Sequence, residues 1–184
     1  RSYPFPETGE QKVYLMGHDE VHSISINMDV DTVRFWMGFG DQYLNCFQVL
    51  VNIGLLSHVP VTTAEGQQVF PLKVVKACLP DPSSLAAGYT GKTCIGNLIK
   101  GEKDGNEKTI FIYNVCDHQE CYREVESQAI SYTAGVPPVA SAILIAKGEW
   151  DVKKMVNVEE LDADPFLDLL ETMGLPTSIR VEEC

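Results

Sequence analysis

Residues 94–115 read CIGNLIKGEKDGNEKTIFIYNV, two apolar runs either side of the pair Asp104-Gly105. Left-handed backbone at both central positions of a two-residue loop matches the twist of paired strands. The pair therefore predicts a hairpin between strands over 94–100 and 108–115. After this hairpin the apolar spacing changes to a helical period. Residues 120–147 read as one long helix containing QAISYTAGVPP at 128–138. Its double proline predicts a bend or restart, because proline lacks an amide hydrogen and its ring crowds the preceding turn. A hairpin followed by a helix is not the β-α-β alternation of a parallel sheet.

Upstream, alternating apolar residues predict half-buried strands over 12–17 (Val13, Leu15) and 21–28 (Ile24, Ile26, Met28). A third strand is predicted over 31–39, with Val33, Phe35, Met37 and Phe39 on one face and Arg34, Trp36 and Gly38 on the other. Asp41 is placed to cap a helix carrying Tyr43, Leu44, Phe47, Leu50, Val51 and Ile53, which Gly54 stops. A shorter helix is predicted over 71–79. Asp164-Pro165 opens a last helix with an apolar stripe of Phe166, Leu169, Leu170 and Met173, closed by Gly174. A terminal strand is predicted over 177–181. Phe47, Leu50, Phe166 and Leu170 are the predicted core. The fold class is α+β: a mixed or antiparallel sheet with helices packed on one face.

The 184 residues fit one domain, and 45% hydrophobic against 22% charged residues is a globular composition. No apolar run reaches the roughly 18 residues needed to cross a bilayer, and the longest, 136–146, holds the double proline. No membrane partner is expected. The start shows no targeting signal and reads as the interior of a longer polypeptide. A net charge of −12 repels phosphate backbones, so no nucleic-acid partner is expected either. Six scattered cysteines in a chain of this size read as reduced cytoplasmic thiols. Cys116, His118 and Cys121 lack a fourth ligand for a closed zinc site, and no metal is predicted.

Several segments stand in a family order: GHDE at 17–20, RFWMGFGD at 34–41, NIGLL at 52–56, YTGKTCIG at 89–96, FIYN at 111–114 and QAISYTAGVP at 128–137. NVEELD at 157–162 and DPFL at 164–167 extend the series. Together they resemble the carboxynorspermidine synthase (dehydrogenase) branch of the saccharopine dehydrogenase family, in its C-terminal substrate and dimerisation region. The resemblance implies the catalytic-domain-like part of a two-domain dehydrogenase. An N-terminal Rossmann domain would bind most of the NADP(H), and no GxGxxG loop stands in this sequence. Residues 1–184 would be the substrate-binding and dimerisation domain of a homodimer, with 128–184 packing toward the Rossmann domain. The implied reaction is reductive condensation of aspartate semialdehyde with a diamine, giving carboxynorspermidine or carboxyspermidine. The alternatives are a saccharopine dehydrogenase of lysine metabolism, or a dimerisation module inactive by itself.

That chemistry needs a cation for the substrate carboxylate, acidic partners for the distal ammonium, and a proton handler at the imine. Arg34 is the candidate carboxylate clamp, beside Trp36; a solvated sheet face is the alternative. His18 and Glu20 are candidates for proton handling and ammonium binding, against a simple turn hydrogen bond. Lys92 lacks the glycine spacing of a phosphate loop but is placed to meet a substrate carboxylate or the cofactor. Thr133 and Gly135 are the cofactor-side candidates, against tight helix packing. Asp117 and His118 stand at a strand exit, where Asp117 could equally cap a helix. No residue is singled out as the general acid or base.

Overall fold

The computed structural model describes residues 1–182. Its centre is an antiparallel sheet of β6 (Lys92–Lys103), β7 (Asn106–Asp117) and β8 (Ser178–Glu182), in the order β6-β7-β8. The β6–β7 register pairs Lys103 with Asn106, leaving Asp104 (φ 57°) and Gly105 (φ 73°) as the two turn residues. The hairpin is the predicted one, longer at both ends. Gly96 is required within it: a Cβ there would run into the Ile112 carbonyl and lie 2.6 Å from the Tyr113 Cβ.

A second sheet joins β1 (Ser2–Phe5), β2 (Gly9–Met16) and β3 (Phe35–Gly38). Strand β1 pairs with β2 through a turn in which Glu7 (φ 59°) and Gly9 (φ 72°) take left-handed backbone. Its aromatic side chains pack edge-on against the central sheet, with Tyr3 5.4 Å and Phe5 6.1 Å from Phe111, ring centre to ring centre. Phe111 and Cys116 are five residues apart on one strand and so face opposite sides of the sheet. Cys116 belongs to the main core with Cys121, Ala129, Tyr132, Ala140, Leu170 and Leu175. The central sheet thus has the β1–β3 sheet on one side and helices on the other. The fold is α+β. A two-residue pairing of β4 (Val61–Thr62) with β5 (Gln68–Val69) completes the strands.

The helices are α1 (Asp19–Asn27), α2 (Asp41–Asn52), α3 (Pro71–Cys78), α4 (His118–Val125), α5 (Ala129–Lys147) and α6 (Asp164–Thr172). Three of these correct the sequence reading. Residues predicted as a strand over 21–28 form α1, whose first-turn Asp19 and Glu20 favour the positive end of a helix dipole. The alternation of Ile24, Ile26 and Met28 is no guide there because α1 buries no residue. The helix predicted over 120–147 is two helices, since Glu126 turns left-handed (φ 54°) and ends α4. Pro137 and Pro138, by contrast, sit inside a continuous α5. Of the two carbonyls they leave without an amide donor, that of Ala134 is on an exposed residue, where solvent can take it up.

Smaller corrections follow. Residues 31–34 are not strand, and β3 begins at Phe35. Gly40, not Asp41, is the cap residue of α2, and Asp41 makes no capping hydrogen bond. Phe47 and Leu50 are not core, because α2 buries none of its residues; Leu170 is core and Phe166 packs against it half-buried. Helix α5 is 19 residues long with a mean hydropathy of 1.5, enough by length and composition to cross a membrane, which the run-length reading missed. Five cysteines are free thiols; Cys184, included in the reduced-thiol reading, lies outside the described residues.

Candidate active site

The predicted site residues fall in three places. The first is an open cleft of about 430 Å³ at the ends of β2 and β3, walled by Leu15–Gly17, Val21 and 33–35, with Arg34 on its edge. The register brings these together by pairing Met16 with Phe35. His18, just past Gly17, stacks on Phe35 with ring centroids 4.0 Å apart, and its Nδ1 is in contact with the Glu20 carboxylate. Arg34 therefore lines this cleft; His18 and Glu20 do not, and His18 is tied to it only by stacking on the wall residue Phe35. Trp36 does not line it; the Arg1 guanidinium lies 4.2 Å from its ring centre instead.

A second open cleft of about 440 Å³ lies where the turn of the first hairpin meets the start of β6. Glu7, Thr8 and Gln11 come from the hairpin, and Gly91, Lys92 and Asp117 from the central sheet. Lys92 Nζ is 2.6 Å from Glu7 Oε2, and that contact holds the ammonium above its ordinary range. Asp117 accepts from the backbone amides of Gln119 (2.9 Å) and Glu120 (3.1 Å), so it is the α4 cap. Chiefly through the Glu120 amide, its carboxyl sits below the usual carboxylate range. The sequence reading missed Glu7, Thr8 and Gln11 because it did not see the first hairpin; the Thr8-Gly9 pair was the available signal.

His118 is buried, 5% exposed, and its Nδ1 accepts from the Ala129 amide at 3.2 Å. It is thus the neutral tautomer that caps the start of α5, and burial lowers its pKa. No loop separates β7 from α4. Cys116 and Cys121 turn into the core, where burial pushes the Cys116 thiol up to about 12. Among the described residues no group of three His, Cys, Asp or Glu side chains could hold a metal ion.

Thr133 and Gly135 are in the third place, on α5, and line neither cleft. Thr133 Oγ1 turns back to the Ala129 carbonyl at 3.0 Å. A Cβ on Gly135 would meet nothing within 4 Å outside its own helix, so packing among the described residues does not demand a glycine there. Dinucleotide phosphates are held where a strand passes through glycines into a helix N-terminus. At Thr90-Gly91-Lys92-Thr93 the chain passes from glycine into strand β6. These residues do not fit a dinucleotide.

Residues 1–175 match the family described as the saccharopine dehydrogenase C-terminal domain, and the chain belongs to that family. Among characterised proteins it is 52% identical to a carboxynorspermidine synthase of Vibrio alginolyticus over 97% of its length. It is 49% identical to a carboxynorspermidine synthase of Vibrio cholerae over 94%, and 45% identical to a carboxyaminopropylagmatine dehydrogenase of Synechocystis over 96%. The chain covers 43%, 42% and 44% of those three proteins respectively.

Proposed function

We propose that this chain is the substrate-binding part of an NADPH-dependent oxidoreductase that condenses aspartate semialdehyde with a diamine. Family membership and the names of the relatives support the dehydrogenase class. The observation that supports the site is the apolar-walled cleft at the ends of β2 and β3 that Arg34 lines, with the His18 imidazole stacked on its wall residue Phe35 and in contact with the Glu20 carboxylate. In this reading Arg34 grips the α-carboxylate through its planar fork. Glu20 draws the distal ammonium, and His18, held flat on Phe35, exchanges protons at the forming imine. Lys92 and Glu7 fix the first hairpin against the central sheet beside a second polar recess. NADPH would be held outside these residues and would supply the hydride, with Thr133 and Gly135 on α5 as the positions that would face the lobe holding it. The enzyme is read as a cytoplasmic homodimer acting on small molecules. A saccharopine-forming activity has only the family description behind it.

The test is NADPH oxidation by a polypeptide containing both this chain and the second lobe. Turnover is expected with aspartate semialdehyde plus 1,3-diaminopropane or putrescine. A preference for aminoadipate semialdehyde plus glutamate would transfer the assignment to saccharopine formation. The 184-residue chain alone is expected to show no NADPH affinity by fluorescence titration.

A further inference from the structure

Gly17 lines the Arg34 cleft, and nothing in the fold of the described residues calls for a glycine there. Its backbone lies outside the left-handed region, and a Cβ on it would meet nothing within 4 Å. A glycine in such a place costs chain entropy and packs against nothing. The register shows where the space it leaves is. Leu15 pairs with Trp36 and Met16 with Phe35, and one step further Gly17 stands opposite Arg34. Opposed residues on paired strands hold their Cβ positions about 5 Å apart. The Arg34 guanidinium has no ion-pair partner among the described residues, although acidic residues outnumber Lys and Arg by 26 to 14. The other arginines are engaged: Arg1 on the Trp36 ring, Arg123 with Glu120 and Arg180 with Glu182.

We propose that Gly17 is a positioning residue, which keeps the place opposite Arg34 clear for the carboxylate of the semialdehyde. The proposal rests on the proposed function and adds to it the location of that carboxylate. With no side chain at 17, the guanidinium fork faces the cleft and pairs with substrate rather than with protein. Leu15, Val21 and Phe35 wall the same space with apolar groups, which strengthens a charge-assisted pair formed between them. Any side chain at 17 acts against the substrate by its volume. A carboxylate at 17 acts a second time, by occupying Arg34 itself.

The test is a series at position 17 in a polypeptide carrying this chain and the NADPH-binding lobe. Gly17→Val should raise KM for the semialdehyde about 10-fold or more, and Gly17→Ala should raise it less, with KM for the diamine within about 2-fold in both. Tm should hold or rise in Gly17→Ala, because alanine at a compatible backbone position restricts the unfolded chain. Gly17→Glu and Gly17→Gln differ in charge alone. Glutamate should raise the semialdehyde KM about 3- to 5-fold above glutamine, and Arg34→Ala should erase that difference. At low ionic strength Gly17→Glu should also melt above Gly17→Gln, a reading of the Arg34 pairing that needs no turnover and so stands apart from the proposed activity. If the unaltered enzyme prefers aminoadipate semialdehyde, the proposed function falls while Gly17 is judged by KM for that substrate, which carries the same carboxylate. An unaltered semialdehyde KM in Gly17→Val, glutamate and glutamine variants alike in both KM and Tm, or a Tm lowered by alanine overturns the proposal.

Discussion

Replacing Arg180 by methionine should loosen the sheet that carries the Arg34 cleft from the rest of the molecule. From β8 the Arg180 guanidinium reaches the first strand, donating through Nη2 to the Tyr3 hydroxyl at 3.1 Å and the Pro4 carbonyl at 3.0 Å. Glu182 Oε1 accepts from Nη2 at 2.6 Å and from the Tyr3 hydroxyl at 2.7 Å. Methionine keeps most of the apolar stem over Phe111 but removes the two bonds that Arg180 makes between the sheets, leaving the third, from Tyr3 to Glu182. A hydrogen bond from a charged donor contributes about 1.5–3 kcal/mol when buried. The Arg180 side chain is 32% exposed, so about 1 kcal/mol per bond is the better figure, or about 2 kcal/mol in all. For a chain of this length that lowers Tm by about 4–8 °C. Circular dichroism reads the shift, and hydrogen exchange should show faster amides over residues 2–5. Because each variant removes the same Arg180–Tyr3 bond, Tyr3→Phe and Arg180→Met together should cost less than their sum. An unchanged Tm with unchanged exchange in the first strand would refute the joint.

Two further outcomes follow from single positions. His118 must stay neutral to accept from the Ala129 amide, and its folded pKa is below the unfolded value of 6.5 because burial disfavours the charge. Its stabilisation is complete above pH 6.5 and is lost as pH falls through the lower folded pKa. Thermal midpoints measured downward from pH 7 should decline in that window, and His118→Asn should flatten the slope while lowering stability. An unaltered slope in that variant would assign the effect elsewhere. Gly96→Ala forces a Cβ into the Ile112 carbonyl and the Tyr113 side chain within paired strands, and should cost about 3 kcal/mol or more by denaturant titration. A cost near zero would mean that the β6–β7 register is wrong.

What the sequence disclosed depended on local punctuation. Asp104-Gly105 announces its hairpin because the turn conformation is specified by two adjacent residues, and Pro71 and Asp164-Pro165 announce helix starts the same way. The interval 19–28 offered only apolar alternation, which a helix that buries nothing can carry by chance. The first hairpin was hidden by Pro4 and Pro6, residues that count against a strand. Site geometry was less legible still. Arg34 and the Gly17–Glu20 segment were each visible, but their meeting depends on Met16 pairing with Phe35, a register no local signal specifies. Lys92 finds Glu7 across 85 residues, a contact only tertiary folding creates. Gly135 reads from sequence as a cofactor-side glycine with helix packing as the alternative, and among the described residues a Cβ there would meet nothing within 4 Å outside its own helix.

The most direct check on the account is the kinetics of Arg34→Ala in a polypeptide that carries this chain together with the NADPH-binding lobe. If Arg34 grips the substrate carboxylate, losing a charge-assisted pair worth about 2–3 kcal/mol should raise KM for the semialdehyde about 30- to 150-fold. KM for the diamine should move far less, and Arg34→Lys should recover part of the loss. A KM for the semialdehyde equal to that of the unaltered enzyme would contradict the account and remove Arg34 from the site.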